Sequence, residues 1–419
     1  MNTRRYTLLL TQAVAAGLLP MIVGMLLSEV IDLEEFGRFY AGLGLAMTAV
    51  YLGGLGLDKV VLKVIVAASP AGGASDARGL RYSGPMMIAM GCLACSAILL
   101  PAFALLQGSS PSEVLELAAI LLLMPLHAVL RFIFGTVTPH GGRILATIFR
   151  DSLCPVLIAG VLATLLAAGV SDLGVLHAMA IYAIAYIASI TAMFLLRRGL
   201  EPDAFRSGDR AYQIRKWIRN GLDYSANVMV YVFISYSPLL YAQWVIDDDG
   251  LAALLAAAYQ INVLPMSIAI TFCAVLLPEV ARAVANHDRS GIAGIQKRFL
   301  LYVTPPVAIL AITILVLERP LLRLYGEEYL AAAPALRIIL LGNVLAAITY
   351  MATNASQFLP HLSRTTICCY FMAIAGWIAF AISGGRELTA IAMMQVILLL
   401  ACQGLAILLG GRQLRTWPT

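Results

Sequence analysis

Twelve apolar runs, each long enough to cross a bilayer, follow one another from residue 6 to residue 409 with short polar connections between them. A spanning helix needs roughly 20 mostly apolar residues. The runs fall at 6–29, 39–57, 84–106, 114–138, 150–169, 174–195, 220–245, 252–277, 299–317, 329–352, 365–383 and 388–409. This pattern predicts an all-α polytopic membrane protein. Composition agrees, since 61% of residues are hydrophobic and 12% charged, well short of the charged quarter of an ordinary soluble domain. Pro20, Pro125, Pro155, Pro265, Pro305 and Pro334 fall inside the runs, which a packed membrane bundle tolerates. The connections leave no room for a separate soluble domain. The first run is longer than a signal-peptide core and eleven more follow it, so it reads as a retained helix.

Orientation follows from where the 28 Lys and Arg residues lie. With the N-terminus in the cytoplasm, all fall in or beside cytoplasmic segments except Arg38, Arg319, Arg323, Arg386 and Arg337. That bias places both termini inside. The outer connections are the acidic ones, as in "EVIDLEEFG" and "VIDDDG". These two turns are also an internal echo half the chain apart, each following an outward-going helix and opening an inward-going one. With the basic stretch 197–219 between them, the echo predicts two parallel six-helix repeats, at residues 1–205 and 206–419. All seven cysteines lie in apolar runs, where a thiol behaves as a small hydrophobe. Cys92-x-x-Cys95 therefore reads as packing and not as a redox or zinc motif.

Three segments carry a family resemblance. "LEEFGRFYA" followed by "GGLGLDKVVLKVIVA" resembles the first helical hairpin of the Wzx-like polysaccharide flippases, members of the multidrug/oligosaccharidyl-lipid/polysaccharide (MOP) superfamily. "ALLAAAYQINVLPMSIAITFCAVLLPEVAR" is similar to that family's eighth helix, and "ERPLLRLYGEEYLAAAPALRIILLGN" to its ninth-to-tenth connection. The first hairpin departs from the pattern, because Leu33 directly follows Asp32 where a glycine usually precedes the acidic pair. The resemblance implies two six-helix lobes around a central cavity that opens alternately to either side. It also implies a polyprenyl-diphosphate-linked oligosaccharide as cargo, moved from the inner to the outer leaflet of a bacterial inner membrane for surface polymers such as O-antigen or exopolysaccharide. Membrane lipids and a polysaccharide polymerase machinery are the implied partners, with no cofactor and no nucleic acid.

A diphosphate cannot cross hydrocarbon bare, so such a cavity must offer cationic donors, preferably arginine. Arg337 is the deepest candidate, eight residues in from Tyr329 within an otherwise uncharged run. An intramembrane charge is a functional hypothesis by default, and the competing reading is that it snorkels outward or pairs with Glu327 or Glu328. Arg131 shares a helical face with His127 near the inner end of the fourth span, where an interfacial marker is the alternative. Arg150 opens the fifth span beside Asp151, which also reads as a helix-start ion pair. Lys59 and Lys63 lie one turn apart at the inner end of the second span, where lysines also snorkel to headgroups.

A cation-coupled multidrug exporter of the same superfamily is the alternative function. It needs an acid deep in a span, and the nearest candidates, Asp223 at the start of the seventh span and Glu279 at the end of the eighth, both lie close to the cytoplasmic edge. Asp223 with Asn227 one turn on could form a cation site, and also reads as a helix-start acid. An enzyme would need a catalytic base and a sizeable loop. The five His residues form no cluster, and "SPAGGASDARG" lacks the Gly-Lys-Ser/Thr ending of a phosphate-cradling loop. A flippase is therefore expected over an enzyme. The orientation is tested by single-cysteine labelling in a Cys-free background: a cysteine at Ser207 should resist an impermeant thiol reagent in intact cells and react once the membrane is opened.

Overall fold

The computed structural model describes residues 3–67, 74–107, 110–140, 143–170, 173–202, 205–206, 208–356, 358 and 362–415. The first part of the "SPAGGASDARG" loop and Ser207 lie outside them. In chain order the helices are α1 (Thr3–Ser28), α2 (Leu33–Gly53), α3 (Leu57–Ala67), α4 (Ala74–Gln107), α5 (Pro111–Leu121), α6 (Leu123–Val137), α7 (Arg143–Ile148) and α8 (Cys154–Ala167). They continue with α9 (Val175–Leu200), α10 (Ile214–Tyr241), α11 (Asp249–Ala285), α12 (Arg289–Val316), α13 (Glu318–Arg323), α14 (Ala333–Ser356), α15 (Leu362–Ile382) and α16 (Leu388–Arg415). Among the described residues 11 helical segments are long and apolar enough to cross a membrane.

The expected second span is not among those segments. Its helix α2 has 21 residues but carries Glu34, Glu35 and Arg38 in its first turns. It then stops at a turn where Leu55 and Gly56 both take positive φ, 52° and 61°. The turn is closely packed: a Cβ on Gly56 would lie 2.1 Å from the Gly221 carbonyl oxygen, and one on Gly221 would lie 2.0 Å from that of Leu55. Two backbones meet there with no side chain between them, as small residues permit in membrane bundles.

The helices form two compact units. One holds residues 1–38 with 233–419, the other residues 39–232. These packing units differ from the sequence halves 1–205 and 206–419, because α1 and most of α10 pack away from the half to which they belong in sequence. For α1 the cause is close approach to α11. A Cβ on Gly17 would lie 2.9 Å from Leu264 Cα, and Ser267 Oγ donates to the Ala13 carbonyl at 2.7 Å.

In this first unit α11 is the central element. Ala252, Ala253, Ala256, Ala257 and Ala258 are all fully buried, so neighbouring helices can pack close to its backbone. Asn262 Nδ2 reaches the Leu336 carbonyl at 3.3 Å, and Asn343 Nδ2 reaches the Asn262 carbonyl at 3.4 Å, joining α11 to α14. The two echoing acidic turns meet here. Asp32 Oδ1 accepts from Glu35 N at 2.7 Å and Asp248 Oδ1 accepts from Leu251 N at 2.8 Å, so each acid caps the helix it precedes. Arg38 of α2 then binds Asp249 of α11 at 3.0 Å, and Gln243 also donates to that carboxylate.

The second unit is built around α6, whose Leu130, Phe132, Ile133, Thr136 and Val137 are buried. Gly84 of α4 accepts the Phe132 ring where a Cβ would stand 2.3 Å from it.

The turn at Gly56 provides a direct test. Alanine there would suffer both the left-handed backbone and the clash with Gly221, together costing roughly 2–5 kcal/mol. Gly56→Ala should therefore lower membrane level and melting temperature in detergent, whereas Gly160→Ala, with open space around it, should leave both unchanged.

Candidate functional site

The basic candidates expected from the sequence fall mostly in the second unit. Two of them, His127 and Arg131, stand one turn apart on α6. Arg131 Nη2 donates to Asp58 Oδ2 at 3.0 Å, and Nη1 donates to the Tyr51 hydroxyl. The guanidinium also lies 4.4 Å over the Tyr51 ring. Asp58 reaches it because the Gly54–Gly56 turn ends α2 and starts α3 beside α6. A Cβ on Gly135 of α6 would stand 2.5 Å from the Asp58 carbonyl oxygen, so this approach is also close. Beside Arg131 is a cavity of about 10 Å³, lined by Tyr51, Asp58, Ala128 and Ser225 among others. It has room for about one water molecule. His127 Nδ1 pairs with the Tyr186 hydroxyl of α9 at 3.0 Å.

Arg150 does not open a helix, as its sequence position implied. Residues 145–167 run as one membrane-length helical segment, and Phe149–Leu153 form a π-helical turn between α7 and α8. Pro155 accounts for the widening: it has no N–H to give the Asp151 carbonyl, and its ring would crowd that oxygen in a regular α turn. In this turn Arg150 Nε and Nη2 donate to the two Asp151 carboxylate oxygens at 2.5 and 2.6 Å. The guanidinium lies 4.0 Å over Phe134 of α6. His127 is within electrostatic reach of Arg131, Arg150 and Asp58. The outcome is one cluster from four elements, α2, α3, α6 and the π turn: two arginines, each held by an aspartate and stacked on an aromatic ring, with a histidine beside them.

Lys59 and Lys63 project from successive turns of α3 and are exposed. Lys63 Nζ contacts the Tyr224 hydroxyl of α10 and lies 4.1 Å over its ring. On the same stretch of α10, Asp223 is exposed and Asn227 is buried.

Arg337 belongs to the other unit. Residues Glu327–Ala332 form a 3-10 turn and α14 begins only at Ala333, so Arg337 stands in the second helical turn and less deep than counted from Tyr329. Its Nε donates to Glu318 Oε2 at 2.7 Å, and Nη2 donates to Oε1. The partner is thus Glu318 at the start of α13, not Glu327 or Glu328; Glu327 pairs with Arg323 at 3.2 Å. The Glu318 side chain is 9% exposed and that of Arg337 56%. These hydrogen bonds hold the Glu318 carboxyl below the usual carboxylate range.

The sequence reading did not single out Asp58, Tyr51, Tyr186, Tyr224 or Glu318. Asp58 had a signal, an acid directly after an apolar, glycine-rich span end. The tyrosines had none, because their roles depend on which helices pack together. Among the described residues no group of three or more His, Cys, Asp and Glu converges to hold a metal.

The comparisons with known proteins agree with this architecture. A family model described as "Polysaccharide biosynthesis protein" matches residues 3–284. No individual curated protein matches the chain. Among solved structures the chain is similar to the lipid II flippase MurJ in an inward closed conformation, with TM-score 0.65, 13% identity and coverage of 96% of this chain and 86% of that one. It is similar to the Vibrio cholerae MATE transporter VcmN in the bent form, with TM-score 0.61, 14% identity and 98% of each chain covered. It also resembles an inward-facing multidrug resistance MATE family transporter of the MOP superfamily, with TM-score 0.58, 15% identity and coverage of 99% and 95%. Identities this low establish the shared fold. The family model extends over most of the chain, and the protein therefore belongs to the polysaccharide biosynthesis protein family.

Proposed function

We propose that the protein carries a polyprenyl-diphosphate-linked oligosaccharide from the inner to the outer leaflet of the cytoplasmic membrane by alternating access, supplying surface polysaccharide synthesis. The supporting observation is the cluster of Arg131, Arg150 and His127 on membrane-spanning helices, with Asp58 and Asp151 as counter-ions. A guanidinium in such a place needs an anion at all times, because leaving a buried charge unpaired is costly. The aspartates fill that role between cargoes. A diphosphate offers the same fork-accepting oxygens with more charge, so loading is an exchange of carboxylate for phosphate. Release is the reverse exchange, which keeps the site from holding its product. Lys59 and Lys63, exposed on α3, gather the headgroup at the cytoplasmic mouth. The proposed setting is a bacterial inner membrane with both termini cytoplasmic, and a polymerase receives the flipped unit.

The second reading, a cation-coupled exporter, is favoured by Asp223, whose exposed carboxylate has the buried amide of Asn227 one turn away. Asp223→Asn separates the readings. It should leave polysaccharide export intact under the first and abolish gradient-driven efflux under the second.

The exchange model predicts an asymmetry within each pair. Arg150→Ala should lower surface-polymer export roughly 10- to 100-fold at matched membrane level, the expected loss of a charge-assisted bidentate contact. Adding Asp151→Ala should not restore it, since the cargo still lacks its arginine. Restoration by the double variant would make the pair purely structural.

Arg337, proposed as a further cargo contact, needs a different design because its loss strands a nearly buried carboxylate. Arg337→Ala should reduce membrane level, and Arg337→Ala with Glu318→Gln should recover it. Export by the double variant should stay low at that recovered level, and full export would remove Arg337 from the site.

A further inference from the structure

The segment joining α9 to α10 is fastened to the start of α4. Arg78 Nε donates to the Asp209 carbonyl at 2.8 Å, and Arg81 Nη1 donates to the Phe205 carbonyl at 2.6 Å. Arg81 also binds the Glu201 carboxylate at 2.5 Å. Ala211 N reaches the Ser75 carbonyl at 2.9 Å, and Trp217 Nε1 reaches Asp76 Oδ1 at 2.9 Å. The backbones nearly touch, since a Cβ on Gly79 would lie 1.8 Å from the Ala211 oxygen.

This fastening concentrates more positive charge than it neutralises. Arg78, Arg81, Arg197, Arg198, Arg206 and Arg210 converge on it, against the carboxylates of Asp76, Glu201 and Asp209 among the described residues. The guanidiniums act on one another: Arg206 and Arg210 on Arg81, and Arg81 and Arg198 on Arg197. Arg197 is 7% exposed, and its Nε has no hydrogen-bond partner among the described residues. The Nε2 of His140, whose ring centroid is 5.2 Å from that of Phe205, is likewise buried without a partner there. A nearly buried guanidinium with an idle donor, acted on by Arg81 and Arg198 and by one carboxylate, Glu201, that Arg81 already binds, is a site arranged for an anion.

We propose that this cluster binds a phosphate group, carried by an anionic membrane lipid or free in solution. Basic pockets between membrane helices commonly hold lipid headgroups. Tyr82 and Met86 on α4 and Leu195 on α9 are exposed, within a turn or two of the arginines in sequence, and give an acyl chain apolar surface to lie against. The site shares no residue with the Arg131–Arg150 cluster and does not depend on what that cluster carries. Because it sits on the connection that joins the two sequence repeats, an occupied site would stiffen that connection.

The test uses the full chain purified in a nonionic detergent. Native mass spectrometry should show phosphatidylglycerol retained roughly tenfold or more over phosphatidylcholine. The preference should be lost in Arg206→Gln with Arg210→Gln and kept in Arg412→Gln with Arg415→Gln, a control at the far end of α16. Arg197→Lys should retain part of it, having the charge without the fork. If inorganic phosphate raises the melting temperature of the wild type but not of the Arg206/Arg210 variant, and the lipid preference is absent, the ligand is free phosphate. A lipid preference unaltered in the Arg206/Arg210 variant, or no response to either probe, overturns the proposal. Arg210→Gln alone carries the same test should the double variant not accumulate.

Discussion

A guanidinium among membrane helices must have its anion nearby, because neither hydrocarbon nor a dry helix interface supplies one. Each unit of this chain meets that constraint with side-chain pairs: Arg131 with Asp58 and Arg150 with Asp151 in one, Arg38 with Asp249 and Arg337 with Glu318 in the other. The backbone around these pairs is arranged to bring the acid within reach. The broken end of α2 delivers Asp58, and the short helix α13 delivers Glu318. Where arginines outnumber the acids among the described residues, on the α9–α10 connection, the proposed phosphate would meet the same constraint from outside the chain.

How much of this could be read from the residues depends on the range of the interaction. The helices were legible because run length is a local property, and the boundaries mostly agree, from the first run at 6–29 against α1 to the last at 388–409 against α16. For the second span, expected at 39–57, the helix is present as Leu33–Gly53, and its inner end is set by tertiary contact: Gly221, far along the chain, lets the turn at Gly56 approach closely. Arg337 shows the same limit. Its sequence neighbours Glu327 and Glu328 looked like partners, but the 3-10 turn carries them elsewhere and Glu318 approaches from the preceding helix. Asp151 was legible as the partner of Arg150 because the two are adjacent, whereas Asp58 and Arg131 are joined only by folding.

The packing units carry a related lesson. An internal echo reports the order of elements, and here the two acidic turns have the same cap geometry at Asp32 and Asp248. It does not report which helices share a core. Gly17 and Ser267 bring α1 to α11, and no periodicity within either half announces a contact that depends on a glycine facing a serine hydroxyl.

The π turn at Phe149–Leu153 has a consequence for register. A regular α-helix fixes the angle between any two side chains at about 100° per residue, so a cation and a packing stripe on one helix cannot normally be aimed separately. One widened turn uncouples them. Cys154, Ile158 and Leu162 keep their buried face while Arg150 is turned toward Phe134 and the α6 cluster. Deleting a single residue from that turn would leave an uninterrupted helix and every charge in the sequence, yet rotate the cation away from its ring or the stripe away from its core. The composition of the site would survive, and its aim would not.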